Sequence, residues 1–269
     1  MNPNQELWEK GDFTRIADTM RESGTELVSK LDINKGMNVL DLGCGDGTTA
    51  IPEARLGANV LGVDIARNLV EAGNRRIKEE GLTNIKIQEG DATNLKDLKD
   101  HQFDLVVTVF GAMFAPKPND VAKEMVRVTK KGGTIVMGNW IPGDPTFVAQ
   151  ILKISSAYTP PPPEGFISPM LWGKEEEVIN RFVNAGIPKE NISFSKETFR
   201  FNADYSPTEF VSHFKNYYGP TMNAFAAAEK NGKTAELQSE LETLFNSKNE
   251  SQDGGTSIPA TFLKVTVKV

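Results

Sequence analysis

Residues 37–47 read Met-Asn-Val-Leu-Asp-Leu-Gly-Cys-Gly-Asp-Gly. The apolar residues before the first glycine predict a short strand that is buried on both faces. Gly43, Gly45 and Gly47 then alternate with other residues, and the segment after them predicts the start of a helix. Glycine lets the backbone turn sharply and lets a ligand approach closely, and a helix start offers unpaired N–H groups. A strand, a glycine turn and a helix start together predict a ligand-binding loop.

An acidic residue within this stretch narrows the class of ligand. Asp41 lies two residues before Gly43, where a carboxylate would repel a pyrophosphate but attract a cation. The glycine spacing is G-x-G-x-G and differs from the G-x-G-x-x-G of dinucleotide-binding folds. The stretch resembles motif I of class I S-adenosylmethionine (SAM) methyltransferases, and this resemblance implies that the loop holds the methionine end of SAM. A tight turn in another α/β protein is the alternative interpretation.

Two further acidic residues follow predicted strands. Residues 59–63 predict a buried strand with Asp64 at its carboxyl end, where ligands of open α/β sheets bind. The carboxylate of Asp64 can accept both ribose hydroxyls, and a helix cap is the alternative. Asp91-Ala92 follows the third predicted strand, residues 85–89. In the resembled family an Asp-Ala pair at this place contacts the adenine, and a capping role in the next turn is the alternative for Asp91.

Strand and helix patterns alternate five times along the first 140 residues. Residues 103–109 predict the fourth strand and residues 134–140 the fifth, with Lys131-Gly132-Gly133 ending the helix between them. Such alternation is typical of a parallel sheet with helices on both faces. A sixth strand is predicted around Phe194 and Phe199, with a bulge between them because the apolar parity changes there. Residues 262–269 alternate strictly and predict a closing strand.

The resemblance to class I methyltransferases covers residues 36–140. Within it, the chain is similar to the ubiquinone/menaquinone-type branch, which acts on small molecules. This resemblance implies a seven-stranded, mostly parallel Rossmann-like sheet with an antiparallel last strand, helices on both faces and a helical cap. It also implies SAM as the cofactor and S-adenosylhomocysteine (SAH) as the product. The residues assigned to the cofactor are Phe13, Asp41, Gly43, Cys44, Gly45, Gly47, Asp64, Ile65, Asp91, Ala92, Val109 and Phe110.

Three segments outside the alternating pattern predict a cap on a single methyltransferase domain of residues 1–269. Residues 1–35 predict a helical lid, for which packing on the core is the alternative. Residues 141–173 and 203–250 are inserts that lie beside the acceptor pocket in the resembled fold, and their apolar character suggests a hydrophobic or aromatic acceptor. A loop on the edge of the sheet, or a dimer contact, is the alternative for the first insert. The residues assigned to the acceptor are Met113, Trp140, Trp172 and Tyr217.

Methyl transfer from a sulfonium is an in-line displacement that needs alignment and a dry pocket, and it needs a base only for some acceptors. His213, on a predicted helix of the second insert, is the candidate general base, and a packed or surface histidine is the alternative. Cys44 is the only cysteine and is interpreted as a small turn residue. No cluster of His, Cys, Asp and Glu has metal-ligand spacing, so no metal site is predicted.

Composition disfavours several classes of protein. The net charge of −6 and the pI near 5.2 argue against a nucleic-acid partner. No apolar run approaches the roughly 18 residues of a membrane span, and the amino-terminal residues lack the pattern of a signal peptide. A single cysteine permits no internal disulfide and suits a reducing cytosol, so the expected location is cytoplasmic. The expected assembly is a monomer or a homodimer.

These patterns predict a SAM-dependent methyltransferase that acts on a small, apolar or aromatic acceptor. Methylation of RNA or protein is a second hypothesis, which the acidic charge and the lack of basic stripes disfavour. A catalytically silent SAM-binding regulator is a third, since no indispensable catalytic side chain is identifiable. A nicotinamide enzyme is the rival for the cofactor, and Asp41 and the glycine spacing disfavour it.

Overall fold

The computed structural model describes residues 3–269 and contains a seven-stranded sheet. The strands are β1 (Asn38–Leu42), β2 (Asn59–Asp64), β3 (Ile85–Glu89), β4 (Phe103–Val109), β5 (Thr129–Trp140), β6 (Ile192–Ala203) and β7 (Thr256–Lys268). Their order across the sheet is β3-β2-β1-β4-β5-β7-β6. Strands β1 to β5 pair in parallel.

Helices separate most of the strands in the chain. The α-helices of the described residues are α1 (Pro3–Glu9), α2 (Thr14–Ala17), α3 (Arg21–Ser29), α4 (Ala50–Arg55), α5 (Arg67–Glu79), α6 (Pro118–Val128), α7 (Phe147–Tyr158), α8 (Glu175–Asn184), α9 (Pro207–Tyr217), α10 (Gly219–Lys230) and α11 (Thr234–Lys248). Helices α4 and α5 pack against β2 and β3, and α6 packs against β5. The alternation that the sequence predicts is therefore present.

The central position of β1 follows from its apolar residues. Val39, Leu40 and Leu42 are fully buried, and burying such a side chain contributes roughly 1.5–3 kcal/mol. β1 pairs with β2 on one side and with β4 on the other, so the carboxyl ends of all three strands meet at one edge. The strand order reverses between β1 and β4, which is where ligands bind in open α/β sheets.

The other end of the sheet is antiparallel. β7 lies between β5 and β6 and runs antiparallel to both, with Trp140 opposite Phe262 and Phe201 opposite Ile258. This arrangement confirms the predicted Rossmann-like sheet, mostly parallel with an antiparallel last strand. β7 begins earlier than predicted, at Thr256, because it also pairs along the whole length of β6.

The boundary between α6 and β5 differs from the prediction. The helix ends at Val128, whereas Lys131-Gly132-Gly133 lies inside β5. The pairing of β4 with β5 shifts register at this point. The Gly132 N–H donates to the carbonyl of Val269 over 2.7 Å, so this glycine turn is held by the far end of the chain. Because Gly132 and Val269 are far apart in the sequence, no local sequence pattern predicts this contact.

The bulge predicted in β6 is absent from the structure. β6 pairs with β7 in one unbroken register from Ile192 to Ala203. The apolar parity changes because burial passes from the face that carries Ile192 to the face that carries Phe199 and Phe201. An edge strand can be covered on different faces along its length, so a change of parity does not require an extra residue.

The two inserts fold on each other beside the antiparallel end of the sheet. Helix α7 of the first insert contacts α10 and α11 of the second. Their shared core is aromatic: the centroid of the Phe147 ring lies 4.5 Å from that of Phe245, 5.9 Å from that of Phe214 and 5.4 Å from that of Phe201 in β6. Edge-to-face aromatic pairs of this kind stabilise beyond the area that they bury.

Two negative findings concern residues 3–269. No helix there combines the length and the apolar character needed to cross a membrane. No group of three or more His, Cys, Asp and Glu side chains there is arranged to hold a metal ion.

Candidate active site

The glycine turn after β1 is held by backbone contacts on two sides. Gly43 and Cys44 donate their N–H groups to the carbonyl of Val63 over 2.7 and 3.2 Å. Gly43 has a φ of 69°, and a Cβ atom on it would lie 2.7 Å from the Cα atom of Gly111. The turn and the end of β4 therefore meet backbone to backbone, an approach that only glycine permits.

Gly45 differs from Gly43 in its surroundings. Its φ is 55°, and a Cβ atom on it would meet nothing within 4 Å. Protein packing therefore does not require glycine at this position. What requires it is the left-handed backbone conformation, and the missing side chain leaves the loop bare toward a ligand.

Asp64 connects the end of β2 to the glycine turn. Its Oδ2 accepts the N–H of Gly45 over 2.7 Å, and its Oδ1 accepts the N–H of Ala66 over 2.9 Å. Burial raises the pKa of Asp64, and these backbone hydrogen bonds oppose that rise. Because each carboxylate oxygen can accept a second hydrogen bond, the side chain can still bind ribose hydroxyls.

Two fully buried carboxyl groups lie beneath the turn, and the sequence patterns indicated only one of them. Asp41 accepts the hydroxyl of Thr49 over 2.5 Å through Oδ2, and its Oδ1 has no hydrogen-bond partner among residues 3–269. Neither carboxyl oxygen of Glu53, on α4, has one there either. Burial raises the pKa of Asp41 to about 7. Burial, and next the charge of Asp41, raise the pKa of Glu53 well above its ordinary value.

A salt bridge ties the amino-terminal helices to the glycine turn. Asp46 is almost fully buried, and Arg21 of α3 binds both of its carboxylate oxygens, with Nη1 donating to Oδ1 over 2.7 Å. Arg21 also donates to the hydroxyl of Thr48. Arg76 of α5 donates to the carbonyl of Asp46 over 2.6 Å. Such two-pronged Arg–carboxylate contacts fix geometry as well as charge, so the loop and α3 are held as one unit.

Phe110 adopts a rare backbone conformation at the end of β4. Its φ is 59°, in the left-handed region that non-glycine residues seldom occupy. The N–H of Phe110 donates to the carbonyl of Gly138 over 2.9 Å. Its ring stacks on Trp140 with centroids 3.6 Å apart and meets Phe199 edge-to-face at 5.1 Å. These contacts offset the strain and place the ring at the sheet edge where ligands bind.

A cavity opens at the carboxyl ends of β1, β2 and β4. It encloses about 930 Å³ of space free of protein atoms, its open mouth included. Most of the residues assigned to the cofactor line it, namely Phe13, Gly43, Cys44, Gly45, Asp64, Ile65, Asp91, Ala92, Val109 and Phe110. The lining residues that the sequence patterns did not indicate include Asn4, Trp8, Met20, Asp46, Ala115 and Phe199.

Asp41 and Gly47 lie behind this lining. Asp41 is fully buried beneath the turn. Gly47 has a φ of 88°, and a Cβ atom on it would lie 3.1 Å from the Cδ1 atom of Ile51, inside the protein. Both residues therefore shape the turn from its inner side, and their assignment to the cofactor remains a prediction.

The residues assigned to the acceptor do not line the cavity. Met113 is fully buried in the core. Trp140 lies behind Phe110, and it is Phe110 that faces the cavity. Trp172 is 1% exposed, and the Cζ atom of Arg181 lies 4.4 Å from its ring centroid. These three residues lie outside the cavity lining in this conformation, and their assignment to the acceptor remains a prediction.

Tyr217 and His213 also lie outside the cavity lining. The ring of Tyr217 faces His213, with centroids 5.8 Å apart. Nδ1 of His213 and the hydroxyl of Tyr205 form a hydrogen bond of 2.9 Å. A general base must reach the proton that it removes. Neither residue lines the cavity in this conformation, so the assignments of Tyr217 to the acceptor and of His213 to catalysis remain predictions.

The amino-terminal helices contribute directly to the cavity. Trp8, at the end of α1, and Phe13 line it, with ring centroids 5.7 Å apart. Tyr218 packs behind both rings, 6.0 Å from Trp8 and 6.1 Å from Phe13. The second insert therefore supports the aromatic wall from behind, and neither insert lines the cavity itself.

Comparison with known proteins indicates the same class of protein as the sequence motifs, the methyltransferases. The model of a methyltransferase domain family matches residues 40–137. An uncharacterized protein of Mycobacterium tuberculosis is 32% identical over 237 residues, which are 88% of this chain and 83% of that protein. A demethylmenaquinone methyltransferase of a Geobacillus species is 36% identical over 114 residues, which are 41% of this chain and 48% of that protein.

A solved structure has the same fold. Phosphoethanolamine N-methyltransferase 2 of Haemonchus contortus, in complex with SAH and phosphomonomethylethanolamine, superposes with a TM-score of 0.62 at 13% identity, over 100% of this chain and 60% of that one. Fold and cavity define an α/β protein with a ligand-sized cavity at the glycine turn after β1. The chain belongs to the class I SAM-dependent methyltransferases, and its cofactor is SAM. The predicted similarity to the ubiquinone/menaquinone-type branch is confirmed.

Proposed function

We propose that this enzyme transfers the methyl group of SAM to a small, apolar or aromatic molecule by in-line displacement. The observation that carries the proposal is that the bare glycine turn and the apolar end of β4 face the same cavity. The methyl donor and the methyl acceptor would then lie next to each other in one cavity. The Geobacillus relative supports an apolar acceptor, because its name makes demethylmenaquinone its substrate.

The residues of the cavity fit SAM. Gly45 leaves open space where a side chain would stand, and Asp64 retains acceptor capacity for ribose hydroxyls. Asp91, whose Oδ1 is held by the N–H of Thr93 over 2.8 Å, lines the cavity where the resemblance expects adenine. SAM supplies an electrophilic methyl group on a sulfonium. The chain binds and orients both reactants and keeps water away through Phe110 and its apolar neighbours.

The residues that line the cavity also determine whether the protein can remove a proton from the acceptor. Among the described residues, no His, Lys or Tyr side chain lines the cavity. An acceptor that is nucleophilic at neutral pH in its uncharged form, through a free electron pair or an electron-rich carbon, needs no strong base from the protein. The proposed acceptors are therefore aromatic amines or electron-rich ring carbons.

Alanine at position 45 tests the cofactor site. Gly45→Ala has room for its Cβ atom within the protein, but its positive φ costs about 1–2 kcal/mol and its methyl group enters the space of the ligand. Gly81→Ala is the matched control, because Gly81 has a φ of 67°, no atom within 4 Å of its Cβ position and no place in the cavity lining.

The readout is calorimetric titration with SAM, SAH and NAD. We expect wild type and Gly81→Ala to bind SAM and SAH but not NAD, and Gly45→Ala to bind SAM at least about tenfold more weakly. Equal SAM affinity in the two variants would refute the site, and binding of NAD would refute the cofactor specificity.

A SAM-binding protein without methyl transfer is the second candidate. The observation that favours it is the lining without a basic side chain among the described residues. Formation of SAH in the presence of phenols, thiols, amines and quinols separates the two candidates. SAM binding with no SAH formed from any of them would favour the second.

A further inference from the structure

We propose that the methyl acceptor binds against Trp8 of helix α1 and that this end of the cavity takes a ring-shaped molecule without a negative charge. Because it concerns the second reactant of the same cavity, this inference rests on the proposed function. It moves the acceptor away from the inserts, where the sequence patterns placed it, to the amino-terminal helices.

Trp8 faces the segment that follows β4. The centroid of its ring lies 5.0 Å from that of Phe114 in an edge-to-face arrangement. Phe114 closes the short 3-10 helix Ala112–Phe114 at the carboxyl end of β4, and Ala112 and Ala115 line the cavity. The indole therefore lies close to the strand end that borders the space next to the glycine turn. A flat acceptor between Trp8 and this strand end would have its reacting atom beside the cofactor.

Helix α1 holds Trp8 in a fixed position. A Cβ atom on Gly11 would lie 2.3 Å from the carbonyl oxygen of Tyr217, and one on Gly219 would lie 2.4 Å from that of Leu7. Asn68 donates its side-chain N–H to the carbonyl of Gly11 over 3.1 Å. Backbone contacts this close on both sides of Trp8 orient the ring before a ligand arrives, which reduces the entropy lost on binding.

The charges of the cavity select against an anionic acceptor. The charged residues of the described lining are all acidic: Asp46, Asp64 and Asp91. The guanidinium of Arg21, which contacts the lining through Asp46, is already engaged by Asp46 and Asp18. An anion would leave water without a cationic partner and would approach three carboxylates. SAM suits the same lining, because it carries two positive charges and one negative charge.

Two probes of one shape and different charge test the inference. 2-Naphthol is uncharged at neutral pH, whereas 2-naphthoate is an anion, and both present a bicyclic ring. In equilibrium dialysis against protein saturated with SAH, we expect 2-naphthol to bind at least about tenfold more tightly than 2-naphthoate. Equal binding, tighter binding of 2-naphthoate or no binding of 2-naphthol would overturn the inference. SAH affinity is measured on the same protein, and its loss would refute the proposed function instead.

Variants at Trp8 locate the probe. Trp8→Leu keeps an apolar side chain for packing but removes the ring, and we expect it to weaken 2-naphthol binding by about tenfold while SAH affinity stays within roughly threefold. Trp8→Phe retains a ring and should restore most of the binding. Phe166→Ala, which removes a ring that is 55% exposed and outside the cavity, is the control and should change neither affinity. Unchanged 2-naphthol binding in Trp8→Leu, or an equal loss of SAH, would overturn the inference.

Discussion

Replacing Glu53 with glutamine tests the acid pair beneath the glycine turn. When both are ionised, Asp41 and Glu53 offer each other only hydrogen-bond acceptors, and three of their four oxygens have no partner among residues 3–269. Burial raises the pKa of Asp41 from 3.8 to about 7 and raises that of Glu53 well above its ordinary value. Glutamine has the shape of glutamate but cannot ionise.

The sign and size of the effect follow from proton linkage. A carboxyl group with a raised pKa in the folded state holds its proton more tightly when folded. Its contribution to stability is therefore complete below the unfolded pKa and is lost as pH rises through the folded pKa. Each unit by which folding raises the pKa corresponds to about 1.4 kcal/mol of folding free energy. Glu53→Gln removes one of the two ionisations, so its stability relative to wild type should rise by about 1.4 kcal/mol per unit of pH above the unfolded pKa, until the pH passes the raised pKa of Glu53.

Urea unfolding or thermal melting across this pH range measures the difference. Each kcal/mol of relative gain corresponds to roughly 2–4 °C in Tm for a protein of this size. Glu79→Gln is the control, because Glu79 is an exposed residue of α5 and its replacement should leave the pH profile of wild type unchanged. If Glu53→Gln and wild type lose stability in parallel from about pH 5 to about pH 7, Glu53 is not a buried acid of raised pKa and the reasoning fails.

Three further changes probe how the turn is held. Gly43→Ala should lower stability by about 1–3 kcal/mol or more in urea unfolding, because its Cβ atom would lie 2.7 Å from the Cα atom of Gly111. Arg21→Ala should weaken SAM binding in calorimetry by about tenfold, since Asp46 would keep only a 3.7 Å contact to Arg76 as a charge partner. Phe110→Gly should lower Tm even though it relieves a positive φ, because losing a buried ring costs about 3–5 kcal/mol and the strain only about 1–2.

Each of these has an opposite outcome that would count against it. A Gly43→Ala protein as stable as wild type would mean that the ends of β1 and β4 are not in backbone contact. Arg21→Lys should recover only part of the SAM affinity, because lysine cannot bind both carboxylate oxygens in the same way. Full recovery would reduce the role of Arg21 to charge alone. A rise in Tm for Phe110→Gly would show that strain outweighs the stack on Trp140.

The cofactor side of the cavity could be predicted because its parts are local in the sequence. Gly43 and Gly45 follow β1 directly, and Asp64 follows β2. Parallel pairing of β1 with β2 brings both strand ends to one edge, whatever surrounds them. The ends of predicted strands, the spacing of glycines and an acidic residue can all be read from one amino-acid sequence. The position of Asp41 and Gly47 behind the lining was not predicted, because it depends on which side of the turn each residue faces.

The proposed acceptor side of the cavity could not be predicted from the sequence, because its walls come from distant segments. Trp140 ends a strand at the correct edge of the sheet, yet Phe110 takes the position next to the cavity by adopting a left-handed conformation that its sequence does not signal. Trp172 is drawn into the core by its contact with Arg181. Trp8 reaches the cavity because the carbonyls of Leu7 and Tyr217 fit against glycines far along the chain. The sequence alone does not show which of these tryptophans reaches the cavity.

Helix α4 buries an acidic residue, and this explains why the sequence patterns did not indicate Glu53. Glu53 is fully buried, and Leu56, the residue after the end of the helix, is 45% exposed. An amphipathic pattern predicts charged residues on the exposed face of a helix. Two contacts fix the orientation of the helix. The hydroxyl of Thr49, at its start, donates a hydrogen bond to Asp41, and the side chains of Ala50 and Ile51 pack into the core. The geometry of the turn thus outweighs the cost of burying an acid, and the pH profile of Glu53→Gln measures that cost.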